Sequence, residues 1–172
     1  MFLKLKPTYI TGHVTDINFE DLISEGIKGL IFDLDNTIMK PKTGKISEDI
    51  RQWLEKTQEC FKIAVVSNNP HKSYIEKVKI ELGIPVYYHA KKPRRGTTLQ
   101  ALKEMKLLPS EVAMVGDRTL TDIMVGQRLG MITILVDPLM KHQESCLIRF
   151  CRKLERLFIC PAKKVFSNNN RI

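Results

Sequence analysis

The chain has little cysteine, few aromatic residues and no long apolar run. Its four cysteines, Cys60, Cys146, Cys151 and Cys160, form no C-x-x-C pair, and its four histidines do not interleave with them at zinc-site spacing. His142 and Cys146, at i and i+4, come nearest to a ligand pair, and alone they make no metal site. Reduced thiols in a cytoplasmic compartment are the expectation. No stretch approaches the roughly 18 apolar residues of a membrane span, and the opening MFLKLKPTYITG lacks the apolar core of a secretory leader. With aromatics at 7%, no stacking platform accompanies the basic residues, which argues against a nucleic-acid partner.

What is present fits one soluble domain with a substantial core: 172 residues, 43% hydrophobic and 27% charged. Twenty-eight basic against nineteen acidic residues leave a net charge of +9, which favours anionic partners such as phosphate esters, nucleic acid or anionic lipid. Eight basic and two acidic residues fall between Leu139 and Ile172, so most of the excess lies in the tail. A second cluster, KKPRR, occupies Lys91 to Arg95.

Patterning predicts helices over 18–24, 46–59, 70–82, 97–105 and 120–129. Strands are predicted over 29–34, 61–67, 85–88, 111–116 and 131–136. Strands alternating with helices across short turns mean an α/β fold, a doubly wound, mostly parallel sheet with helices on both faces.

The stretch GLIFDLDNTI, Gly29 to Ile38, stands out. Leu30, Ile31, Phe32 and Leu34 read as a strand buried on both faces, yet Asp33 and Asp35 interrupt it one residue apart. A buried carboxylate is costly without a cation, a proton or donors. Side chains alternate along a strand, so the pair would point the same way if the strand continued, as a start for an oxygen-ligand metal site or an acid/base pair. The plainer alternative is a capped turn at Asp35-Asn36-Thr37. Against it, Ser67 and Asp117 also fall at strand carboxyl ends, the edge where open α/β sheets bind ligands.

DLDNT (Asp33 to Thr37), VVSNN (Val65 to Asn69), KKP (Lys91 to Pro93) and VGDRTLTD (Val115 to Asp122) together resemble, in order, the four motifs of the haloacid-dehalogenase superfamily of phosphatases. The resemblance implies that Asp33 is a nucleophile forming an aspartyl-phosphate, with Asp35 the acid and then the base. It implies that Ser67 and Asn68 bind the phosphoryl oxygens and that Lys92, the lysine directly before proline, neutralises their charge. Asp33, Asp117 and the backbone carbonyl of Asp35 would hold Mg²⁺. Thr37 would support that shell, and Asp122 would be an outer metal partner or an ordinary first-turn helix residue. The set is physically coherent, because a phosphate dianion and a carboxylate repel each other unless a cation and preplaced donors intervene.

Only IMKPKTGK separates Thr37 from the next helix, and one helix and one strand fill the space between Asn69 and Lys91, so no cap domain fits. An open site suits a phosphate carried on something large. SEGIKGLIFDLDNT, AKKPRR, GDRTLTDI and a late KLER resemble, within that superfamily, the capless phosphatidylglycerophosphate phosphatase type. That implies a phosphorylated lipid substrate at an anionic membrane surface, with the protein possessing no transmembrane segment and sitting peripherally on the inner face. The predicted organisation is a phosphatase domain over 1–138, a basic amphipathic helical extension over 139–160 and a disordered tail over 161–172. Within the extension, Leu147, Phe150, Cys151, Leu154, Leu157 and Phe158 form a seam flanked by Arg149, Arg152, Lys153 and Arg156, either an interfacial anchor or a helix packed on the domain. Phosphoprotein or nucleic-acid phosphate ends are the alternative substrates, and a non-catalytic RNA-binding protein is the alternative class.

Overall fold

The computed structural model of the chain describes residues 5–140 and 164–166. A seven-stranded sheet runs through it, made of β1 (Tyr9–Thr11), β2 (Gly29–Phe32), β3 (Lys62–Val66), β4 (Val86–Tyr87), β5 (Val112–Gly116), β6 (Ile132–Val136) and β7 (Lys164–Val165). The order is β4-β3-β2-β5-β6-β1-β7, with every pairing parallel. Among the described residues the α-helices are α1 (Phe19–Ser24), α2 (Glu48–Cys60), α3 (Lys72–Leu82), α4 (Gly96–Met105) and α5 (Met124–Leu129).

Alternation along β2 sorts its side chains between two cores. Leu30 and Phe32 pack with Ile63, Val65 and Val115 beneath Leu22, Ile50, Leu54, Ile75 and Val78 of α1, α2 and α3. Ile31 joins Ala64, Val66 and Met114 beneath Ala101, Leu102 and Val125 of α4 and α5. This is the doubly wound arrangement, and it explains the unbroken apolar run at the sheet's centre. Burying each of the larger side chains, such as Leu30 or Phe32, stabilises by about 1.5–3 kcal/mol.

β2 pairs with β3 on one side and with β5 on the other, so the chain winds outward in both directions from β2. A crevice opens there at the carboxyl ends of the strands, the usual ligand position in open α/β sheets. No second domain is inserted among the described residues between β2 and α2 or between β3 and α4.

Three features differ from the sequence reading. β1 was not expected; it is three residues long and exists as a strand because Tyr9, Ile10 and Thr11 pair with Ile134, Leu135 and Val136, a contact far along the chain. The predicted disordered tail includes β7, whose Lys164 and Val165 pair with Tyr9 and Ile10, and Phe166, which is buried with its ring stacked 4.3 Å from that of Tyr9. The helix expected from Leu120 begins as a wide π-helical turn, Thr119–Ile123, before α5. The amphipathic seam of Leu147 to Phe158 and the His142–Cys146 pair lie outside the described residues.

Candidate active site

β2 delivers Asp33 to the crevice. The Asp33 N–H still donates to the Val115 carbonyl at 2.8 Å, so the residue is held in strand register beside Gly116 and Asp117. The chain then turns sharply, with the N–H groups of Thr37, Ile38 and Met39 all directed at the Leu34 carbonyl and Asn36 at φ 69°. That turn carries Asp35 away from the strand axis and buries Thr37, whose hydroxyl donates to Asp117 Oδ1 across 3.5 Å.

Lys92 comes from the loop between β4 and α4 and is placed by Asn68. Asn68 Oδ1 accepts the Lys92 N–H at 2.6 Å, and its Nδ2 donates to the Lys92 carbonyl at 3.1 Å. The Asn68 side chain is therefore engaged with the peptide of Lys92. Lys92 Nζ, 1% exposed, lies 2.6 Å from Asp33 Oδ1 and 2.7 Å from Asp122 Oδ1. The other Asp122 oxygen accepts the Arg118 N–H at 3.1 Å, so Asp122 anchors the lysine and the turn that carries it. Gly116 makes this approach feasible: a Cβ there would lie 2.4 Å from the Asp122 carboxylate.

Asp33, Asp117 and Asp122 each offer an oxygen within 4.8 Å of the others. Carboxylates this close raise the cost of negative charge on one another, and burial raises it further. Burial first, then Asp122 and Asp117, push the Asp33 carboxyl up, to about 8, against the lowering pull of Lys92. Burial pulls the Lys92 ammonium down, but its two carboxylate neighbours outweigh that and hold its pKa above the ordinary lysine range. A hard, oxygen-only donor set of this kind fits Mg²⁺. Asp33, Asp117 and Asp122 are the side chains that could offer it oxygens.

Ser67 is buried at the end of β3, and its Oγ accepts the Asn69 N–H at 3.1 Å. Asp33, Ser67, Asn68, Lys92 and Asp117 border a cleft of about 290 Å³ lined also by Asp35, Lys42 and Thr121. A larger hollow, about 630 Å³, lies beyond the loop that follows Asp33, between Gly12, His13, Lys40, Lys45 and Leu139; the clustered carboxylates are not part of it.

Two contacts have no counterpart in the sequence reading. Asp35 Oδ2 accepts from Asn69 Nδ2 at 3.1 Å, and Asp35 Oδ1 accepts from the Tyr74 hydroxyl at 2.9 Å. Asn69 belongs to the VVSNN stretch, where nothing distinguishes it from a turn residue. Tyr74 sits in the first turn of α3, 39 residues from its partner, and no spacing rule reaches it.

The family model for mitochondrial PGP phosphatase matches residues 4–140. Probable phosphatase YqeG of Bacillus subtilis is 31% identical over 159 residues, covering 92% of this chain and 91% of the relative. The mitochondrial phosphatidylglycerophosphatase GEP4 of Saccharomyces cerevisiae is 31% identical over 162 residues, with 87% and 86% covered. Phosphatidylglycerophosphate phosphatase 1 of Arabidopsis thaliana, chloroplastic and mitochondrial, is 36% identical over 148 residues, and the match spans 81% of this chain but only 42% of that relative. Among solved structures, a HAD phosphatase from Thermococcus onnurineus superposes with a TM-score of 0.53 at 14% identity, covering 74% of this chain and 98% of that one, which shows the shared fold. Among the described residues, no helix is long and apolar enough to cross a membrane. The chain therefore belongs to the PGP phosphatase family, phosphoric monoester hydrolases built on the haloacid-dehalogenase fold.

Proposed function

We propose that this protein is a Mg²⁺-dependent phosphatase that removes the terminal phosphate of phosphatidylglycerophosphate at an anionic membrane surface. The observation that carries the catalytic part is the arrangement of Asp33 against Lys92, with Asp35 two residues on at the edge of the same cleft. Asp33 attacks phosphorus, forming an aspartyl-phosphate as the ester P–O bond breaks, and Asp35 gives its proton to the departing alcohol oxygen. Asp35 then takes a proton from the water that attacks the phosphorylated Asp33. Lys92, Ser67 and backbone N–H groups offset the charge on the transferring oxygens. Asp33, Asp117 and the Asp35 carbonyl would hold Mg²⁺, which supplies the charge neutralisation that lets an anionic nucleophile meet a phosphate dianion.

The two loops that border the cleft support the lipid part of the reading. Lys40, Lys42 and Lys45 stand exposed on the loop after β2, and Lys91, Arg94 and Arg95 on the loop before α4. Apart from Asp33 and Asp35, these two loops contain no acidic residue. At the opposite end of the sheet, Lys28 pairs with Glu111 at 2.7 Å. An uncapped site bordered by two basic loops suits a headgroup presented by an anionic bilayer. The basic segment around Arg149 to Arg156 would add to the same attraction.

Replacing Lys40, Lys45, Arg94 and Arg95 by glutamine should weaken binding to phosphatidylglycerol-containing vesicles by about tenfold or more. Hydrolysis of lipid in those vesicles should slow, while turnover of a small soluble ester stays within about twofold. Raising salt should act like the substitutions, because it shortens the Debye length below the ~8 Å of physiological ionic strength. Equal losses on both substrates would count against a membrane-facing rim.

A further inference from the structure

We infer that Tyr74, assisted by Asn69, is the positioning residue for Asp35 and sets how well a poor leaving group departs. The inference rests on the acid role proposed above for Asp35. Asp35 is carried by a loop, and two free torsions would let its carboxyl sweep through the cleft mouth. Both oxygens are instead tethered from β3's exit and α3: Oδ1 accepts from the Tyr74 hydroxyl at 2.9 Å and Oδ2 from Asn69 Nδ2 at 3.1 Å. Asn69 is itself braced, its N–H donating to Ser67 Oγ at 3.1 Å and its Oδ1 accepting the His71 N–H at 3.0 Å. The Tyr74 ring packs beside the loop after β2, where a Cβ at Gly44 would lie 3.9 Å from Tyr74 Cε2. One side chain thus ties α3 to the loop that bears the acid.

A tyrosine suits this position better than a second amide. Its hydroxyl both donates and accepts, so it can stay bonded to Asp35 before and after the proton leaves. It has a further acceptor in Met39 Sδ at 3.6 Å. Burial, then the neighbouring Asp35, hold the Tyr74 hydroxyl above the ordinary tyrosine range, so it serves as a hydrogen-bonding group and not as the acid itself.

The test compares an alkyl ester, glycerol 3-phosphate, with an aryl ester, 4-nitrophenyl phosphate, whose phenolate departs with little protonation. General acid assistance is worth about 10²–10⁴-fold, and a misaimed acid loses part of it. For Tyr74→Phe, kcat/KM on the alkyl ester should fall about 10–100-fold and on the aryl ester less than about threefold. Phosphorylated enzyme should accumulate with the aryl ester, because the same carboxyl later activates water. Asn69→Ala, measured alongside, should show the same asymmetry by removing the other tether. Equal losses on the two esters, or none, for both variants would overturn the inference if Asp35→Asn still discriminates between them, leaving the proposed phosphatase mechanism standing. If Asp35→Asn also fails to discriminate, the acid assignment itself fails and the inference falls with it.

Discussion

Asp33→Asn should abolish phosphate release, lowering kcat by at least about 10³-fold, and should remove the hydroxylamine-labile phosphoenzyme entirely. An amide cannot form the acyl-phosphate, and it presents one oxygen where the carboxylate offers two. The variant should still fold, because replacing Asp33 removes one of three crowded carboxylates while Lys92 keeps its 2.7 Å contact with Asp122. Rapid acid quenching after mixing with labelled substrate checks both points. Substantial turnover, or label on the protein, would remove Asp33 from the covalent role.

Lys92→Met should cost both activity and stability. The ammonium is buried between Asp33 and Asp122, and methionine leaves those carboxylates with no counter-charge from that position. Breaking a buried ion pair by deleting one partner costs about 3–5 kcal/mol. For a chain of this size, 1 kcal/mol shifts Tm by roughly 2–4 °C, so the midpoint should fall by about 6–20 °C. Saturating Mg²⁺ should recover part of that loss, since a bound cation restores positive charge to the cluster, and a ligand at 100 times its Kd stabilises by about 2.7 kcal/mol. Thermal melts with and without Mg²⁺ decide the matter. An unchanged midpoint would mean that Lys92 does not balance the carboxylates in the folded protein.

Much of this architecture is legible in the sequence because the signals are local. The run through Leu30, Ile31 and Phe32 reads as a strand covered on both faces, and the two cores confirm it side chain by side chain. Polar residues at the ends of three such strands point to one crevice, and Asp33, Ser67 and Asp117 do converge there. Lys92 is marked out by its place directly before proline; in the fold Lys92 is buried and Lys91 is exposed. What escaped was set by distant partners. YIT becomes β1 only through β6, and Lys164 to Phe166 find structure only on β1. Asn68 reads as a phosphate ligand, yet its side-chain amide brackets the peptide of Lys92, a contact 24 residues long in sequence. Tyr74 is an unremarked helical aromatic until Asp35 is seen beside it.

Hydrolysis of a phosphorylated lipid through this carboxylate site is the reaction on which the proposed function stands. Its most direct test is phosphate release by the purified protein from phosphatidylglycerophosphate in anionic mixed micelles, run beside nucleotide, sugar and phosphopeptide esters, with Mg²⁺ and with a chelator. The predicted result is turnover of the lipid in preference to the soluble esters, lost with the chelator and restored by Mg²⁺ but poorly by Ca²⁺, whose larger and less regular oxygen shell suits this chemistry badly. Turnover that survives chelation, or that favours a soluble ester over the lipid, would contradict it.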